Sequence, residues 1–275
     1  MQVLRLIRDG FNDGFYNMAV DEAVADAVEK GVSPPTLRLY GWKSPTLSIG
    51  YSQRTDKKID TEYCRKNKIA IVLRPTGGRA VLHDKEVTYS FISPKNNPLF
   101  PDNISGTYRV IGEALSKGLS ILGIDANSNL ACRIPHSVFR NPSCFATTSQ
   151  YEITVDGKKL IGSAQRRFKN SFLQHGSIPL ENHHETLALC LGFKEGYKGK
   201  RFVNLLKEKS IAMNELNGRV YSYNEVVDAI VRGFGDVFKL VPEGSNQGIQ
   251  FKISSLSEYE LELTKKHCKS EIISL

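Results

Sequence analysis

Apolar positions recur at helical spacing between Val20 and Val28: Val20, Ala23, Val24, Ala27 and Val28 line one side, while Asp21, Glu22, Asp26 and Glu29 fill the other. This predicts an amphipathic helix that ends at Gly31. The pattern then shortens to β-rich runs at 36–40 and 46–51, on either side of a Gly/Pro turn, and again at 69–73 and 87–92. Helices are expected over 56–67 and 108–122; in the second, Val110, Ile111, Ala114, Leu115, Gly118 and Leu119 share a face. After a Pro/Ser/Asn-rich loop at 127–143, three strand-like runs at 150–155, 159–167 and 171–178 read as a meander turning at Asp156-Gly157 and Lys169-Asn170. Helices at 223–238 and 257–269 close the chain, separated by a Gly/Pro/Asn-rich linker at 241–248.

Strands in short consecutive groups, with helices interposed irregularly, indicate an α+β fold with a mixed, largely antiparallel sheet flanked by helices. A doubly wound nucleotide-binding fold is not expected, and neither G-x-x-x-x-G-K-[ST] nor G-x-G-x-x-G is present. The 275 residues, 40% of them apolar, suffice for a sizeable core. No apolar run approaches the roughly 20 residues that span a bilayer, and the N-terminus reads as a strand and not as a signal peptide, so no membrane partner and a cytoplasmic location are expected. Five cysteines, widely spread and never in C-x-x-C spacing, suggest free thiols, with neither a disulfide framework nor a zinc ribbon. A formal charge of +8 implies an acidic partner, but no zinc-finger, RNP or helix-turn-helix pattern favours nucleic acid.

Two stretches carry candidate chemistry. Cys144 precedes Lys159 by fifteen residues, and a thiol near a fixed ammonium has a reason to be a thiolate at neutral pH. In Arg74-Pro75-Thr76-Gly77-Gly78-Arg79-Ala80-Val81-Leu82-His83, adjacent glycines between arginines allow close backbone approach to a ligand and aim N–H groups at its oxygens. Blander readings exist: Gly77-Gly78 as a hairpin turn, Cys144 as a small buried hydrophobe, Lys159 as a solvated strand residue. Arg166, Arg167 and Lys169 read as an exposed basic rim. His183-His184-Glu185 reads as a helix start and not as a metal site, because the i, i+4 histidine pair is missing. Cys64, Cys132, Cys190 and Cys268 read as structural.

The stretch 74–83, continued by Glu86-Val87-Thr88-Tyr89-Ser90, resembles the R-x-T-G-G-R-A-V-L-H…E-x-T-Y-S signature of the lipoate/octanoate protein transferase and ligase family, relatives of biotin protein ligase. Further matches are Asn17 to Ala23, Tyr40-Gly41-Trp42, Leu47 to Gln53, Asp156 to Lys159, Gly162 to Gln165 and Gln174 to Ile178. Within the family, the Cys144-Phe145 position and its offset from Lys159 are similar to the octanoyltransferase branch of the LipM type. The chain departs from the signature at Leu73, where the family usually carries a first arginine.

The resemblance implies a biotin/lipoyl ligase-like catalytic domain over 1–245, with 246–275 a linker and helix packing on the same domain. It implies octanoyl transfer from acyl carrier protein to a lysine of a lipoyl domain, such as the glycine cleavage H protein, with no cofactor and no metal. Cys144 is then the nucleophile, and Lys159 the cation that activates it and meets the acyl carbonyl oxygen. Arg74, Gly77, Gly78, Arg79, His83, Gly162, Ser163, Ala164 and His175 are the expected substrate-binding positions, with His83 and His175 the candidate proton acceptors. Three alternatives stay open: an ATP-dependent lipoate ligase, an amidotransferase working between lipoyl domains, and a catalytically silent binder.

Overall fold

The computed structural model describes residues 3–51, 59–126, 152–194, 196–245 and 248–272. An eight-stranded sheet runs in the order β10-β11-β1-β2-β6-β9-β8-β7, and a three-stranded sheet in the order β4-β3-β5. The strands of the large sheet are β1 (Val3–Asn12), β2 (Thr36–Trp42), β6 (Glu86–Pro94), β7 (Ile153–Val155), β8 (Lys158–Arg167), β9 (Ser171–Pro179), β10 (Leu240–Pro242) and β11 (Ile249–Ile253). The small sheet holds β3 (Thr46–Gly50), β4 (Ala70–Arg74) and β5 (Val81–His83). Of the paired neighbours, β1–β2, β1–β11, β10–β11 and β3–β4 are parallel and the other five pairs antiparallel, so the sheet is mixed and the fold α+β, as expected.

Strand alternation gives the large sheet two buried faces. Leu37, Leu39, Tyr89, Phe91 and Phe172 meet α3 (Ile104–Ile121) and α6 (Tyr223–Phe238) in the main core. There Phe91 stacks on Phe234 at 5.7 Å and meets Phe100 edge-on at 5.3 Å. On the opposite face, Arg38, Tyr40, Thr88, Ser90, His175 and Ser177 are buried as well. They face α1 (Gly14–Glu29) and the small sheet, through bonds described below. Asp13 caps α1, accepting from the Tyr16 N–H at 2.9 Å. Asp156 (φ 49°) and Gly157 (φ 74°) both take the left-handed conformation that a two-residue hairpin turn requires, which fixes the β7–β8 register.

Several elements differ from expectation. Asp21 is fully buried and is not part of a solvated helix face. The expected linker holds β10, and β11 follows it; both are too short and too flanked by Gly and Pro to read as strands, and they form by parallel pairing to β1 and to each other. Helix α5 (Tyr197–Lys209) was not expected, because only Gly199, Phe202 and Leu206 of its thirteen residues are buried. The helix start expected at 183–185 is there, in α4 (His184–Cys190). Helix α2 (Thr61–Lys66) and α7 (Glu258–Ile272) complete the set, α7 docking on α1. The Arg5–Glu260 ion pair, at 2.5 Å and almost fully buried, ties α7 to β1.

Candidate active site

The glycine loop between β4 and β5 is folded around its own arginine. Arg74, 4% exposed, donates to the Ser48 carbonyl (3.1 Å) and Oγ (3.0 Å), to the Gly77 carbonyl (2.9 Å) and to the Arg79 carbonyl (2.6 Å). A guanidinium carries five donors in a rigid fork, so one side chain fixes both ends of the loop. A Cβ on Gly50 would stand 2.0 Å from the Gly78 carbonyl oxygen, which makes that crossing possible only for glycine. Gly78 is exposed at the loop tip, and a Cβ on Gly77 would meet nothing within 4 Å.

Two buried imidazoles brace this loop, His175 at Thr76 within it and His83 at Ser48, which Arg74 also holds. His175 Nε2 lies 2.7 Å from Thr76 Oγ1, and its Nδ1 lies 3.2 Å from Asp21 Oδ2. Asp21 also accepts from Arg38 (2.8 Å) and from the Tyr40 hydroxyl (3.0 Å). The second relay runs from Ser48 Oγ to His83 Nε2 (2.7 Å) and from His83 Nδ1 to Glu86 Oε1 (2.8 Å). Trp42 stacks on His83 at 4.2 Å and donates its indole N–H to Thr88 (2.8 Å); Ser177 donates to the other Glu86 oxygen at 2.5 Å. Burial alone would raise the Asp21 and Glu86 carboxyls, but Arg38 with His175, and His83 with the Ser177 and Thr88 hydroxyls, hold both below the ordinary range. Burial lowers the His175 ring in spite of Asp21, so the imidazole is neutral near pH 7.

Both ring nitrogens of His83 and His175 are therefore engaged by neighbouring side chains. The histidines are built to position Ser48 and Thr76, and with them the loop; an incoming amine would have to displace one of these bonds to use either ring as a base.

Lys159 lies at the start of β8, opposite Thr154 of β7. Its side chain is 2% exposed, and its ammonium meets Glu152 Oε1 at 2.5 Å. The Lys159 carbonyl accepts from the Ile211 N–H at 3.0 Å, just beyond α5. Further along β8, Gly162 pairs with Ser177 and Ala164 with His175, which puts both on the loop face. Ser163 turns to the core face, its Oγ 2.6 Å from the Tyr89 hydroxyl. Arg166, expected in an exposed rim, reaches the Pro75 carbonyl at 3.2 Å, whereas Arg167 pairs with Asp102 at 2.6 Å. Cys144 and Cys132 lie outside the described residues.

The sequence reading did not assign roles to Asp21, Trp42, Ser48, Thr76, Glu86 or Glu152. Ser48 and Glu86 are polar residues of strands, whereas Asp21 lies in α1, Thr76 in the loop and Glu152 just before β7, so only burial in the folded chain joins them into a site. His183 lies 3.2 Å from Asp84, His184 bonds Ser210 (2.9 Å), and among the described residues no group of three His, Cys, Asp or Glu side chains is placed to hold a metal. No helix among them is long and apolar enough to cross a membrane.

The family model for the lipoyl protein ligase A/B catalytic domain matches residues 13–235. A curated relative named octanoyltransferase LipM from Kyrpidia tusciae is 44% identical over 86% of this chain and 87% of its own length. Relatives of the same name from Geobacillus kaustophilus and Clostridioides difficile are 40% and 38% identical, over 88% and 97% of this chain and 88% and 95% of their own lengths. Among solved structures, a bipartite lipoate protein ligase from Thermoplasma acidophilum superposes with a TM-score of 0.77 at 22% identity, covering 98% of this chain and 93% of that one. A lipoate-protein ligase A bound with ATP gives 0.74 at 23% identity, covering 98% and 95%. At such identities these two share the fold. With the signature loop in place and the family match running from α1 into α6, this chain belongs to the lipoyl protein ligase A/B catalytic-domain family.

Proposed function

We propose that this chain is an acyltransferase that moves an octanoyl group from acyl carrier protein, through a thioester on Cys144, to the ε-amine of a lysine on a lipoyl domain such as the glycine cleavage H protein. The observation that carries the reading is near-full-length similarity to proteins named octanoyltransferase. The Cys144 thiolate attacks the carrier thioester carbonyl; a carbon–sulfur bond forms to the enzyme, the bond to the carrier breaks, and the carrier leaves as a thiolate. The acceptor amine, freed of its ammonium proton, then attacks the enzyme thioester. An amide bond forms, one of the amine's two protons passes to solvent while the other stays on the amide nitrogen, and the Cys144 thiolate returns. Thioester exchange is close to isoenergetic and amide formation runs downhill, so the sequence has no need of a nucleotide.

The buried Lys159 ammonium supports the role of a fixed positive charge beside the reacting carbonyl, where a donor in a dry site is worth far more than in water. Arg74, Arg79, Gly77 and Gly78 shape the binding loop, His83 and His175 hold it, and Gly162, Ser163 and Ala164 supply the strand beside it. Neither a metal nor a cofactor enters this reaction, and residues 246–275 act as part of the same catalytic unit. A cytoplasmic location fits a carrier-protein donor. The test is to mix the enzyme with octanoyl-acyl carrier protein and apo lipoyl domain, without nucleotide, and follow the acceptor mass. Acceptor octanoylation is expected. Pyrophosphate release that depends on free lipoate and ATP, undiminished in Cys144→Ser, would overturn the reading in favour of a ligase.

A further inference from the structure

The charge on Lys159 has to be maintained in a place that disfavours it. Burial of an isolated ammonium costs several kcal/mol and drives the group towards the neutral amine, unless a counter-charge lies close by. Glu152 is that counter-charge. It directly precedes β7, two residues before Thr154, the residue paired with Lys159, and the β7–β8 register shifts between Ile153 and Thr154. Glu152 and Lys159 are nearly sealed from solvent, at 5% and 2% exposure, with 2.5 Å between Oε1 and Nζ.

The hairpin itself fixes this geometry, through the left-handed Asp156-Gly157 turn and the Ile211-to-Lys159 backbone bond. We propose that Glu152 is a positioning residue that keeps the Lys159 ammonium protonated and aimed, so that one of its three N–H donors is presented to the acyl carbonyl oxygen.

The proposal rests on the reading of Lys159 as the cation of an acyl transfer. It differs from a base role, in which Glu152 would take the proton of the incoming amine. Among the described residues, the other charged groups on the packed elements are more exposed. Asp156, Lys207 and Lys209 are exposed, and Lys158 is half-buried. His184 reaches Ser210, the bridge partner of Lys159, but burial lowers its ring so that it is neutral near pH 7.

The experiment compares wild type, Glu152→Gln and Glu152→Asp in enzyme-thioester formation from a small octanoyl thioester, as kcat/KM against pH. It is joined by a 13Cε NMR titration of the lysines, with Lys159 assigned by Lys159→Arg. In Glu152→Gln, with this carboxylate gone, the ammonium should lose its proton at lower pH, and the alkaline limb of kcat/KM should move down by at least one pH unit, about a tenfold loss at a fixed alkaline pH. Glu152→Asp should recover part of that shift. An unmoved limb and an unmoved Lys159 titration would overturn the proposal, as would a defect confined to the second half-reaction, which marks a base. If wild type forms no thioester, the acyl-transfer reading fails on its own; the NMR titration then still decides whether Glu152 holds the Lys159 charge.

Discussion

The two faces of the large sheet are made by the same strands and are buried alike, yet they are held together by different forces. Phe91, Phe172, Leu37 and Leu39 on one face pack against aliphatic side chains of α3 and the phenylalanines of α6, where non-directional burial tolerates small shifts. Arg38, Tyr40, Thr88, His175 and Ser177 on the other are joined by hydrogen bonds through Asp21 and Glu86, and each of these has a required partner and direction. The comparison teaches where precision is located: packing supplies the platform, and the polar face fixes the loop that meets substrate.

The sharpest way to break the comparison is to injure each face by a similar amount. Phe91→Ala should cost about 3–5 kcal/mol through lost burial and a cavity. Asp21→Asn, which leaves the buried Arg38 with Asp9 as its remaining charge partner and removes the carboxylate that holds His175, should cost up to about 3–5 kcal/mol. Per folded molecule, however, only Asp21→Asn should lose activity, by ten-fold or more, because only it releases His175 and Thr76. Urea unfolding together with rates corrected for folded fraction checks this; equal activity losses would erase the distinction between the faces.

A smaller injury tests the loop crossing. Gly50→Ala must displace the Gly78 backbone, an overpacking strain of about 1–3 kcal/mol, and should lower the melting temperature and raise KM for the thioester. Gly77→Ala adds a methyl group into open space and should leave the melting temperature close to wild type. Matching melting shifts in the two variants would mean that the loop does not sit against Gly50.

The smallest effect is a pH dependence. Burial, outweighing Asp21, depresses the His175 ring below its ordinary 6.5, so as pH falls through that value the unfolded chain takes up a proton that the native ring resists. The stability contributed by neutral His175 is thus present above about pH 6.5 and is lost towards acid. The stability advantage of wild type over His175→Gln should therefore shrink between pH 7 and pH 5, while groups common to both chains, such as His184 and His267, cancel in the difference. A constant advantage would mean that the ring titrates as it does in the unfolded chain.

What the sequence made legible is local. The α1 periodicity, the Asp156-Gly157 turn and the signature loop are each written in neighbouring residues, and the structure has all three. Asp21 was misread because an acidic residue between apolar ones looks the same whether it faces water or a buried arginine 17 residues along the chain; only tertiary pairing with Arg38 decides. Helix α5 and strands β10 and β11 escaped for a related reason, since their apolar residues are few and their partners are distant in sequence. Glu152 carried no signal of its own until the fold brought it against the Lys159 ammonium.

The central claim, that the acyl group travels on a cysteine of this chain, is tested most directly by intact mass spectrometry of the enzyme after mixing with octanoyl-acyl carrier protein and no nucleotide. The account predicts one octanoyl group on wild type, removed by neutral hydroxylamine and absent in Cys144→Ser, since a thioester is labile to that reagent and an amide is not. An adduct that survives hydroxylamine, or one that persists in Cys144→Ser, would contradict it.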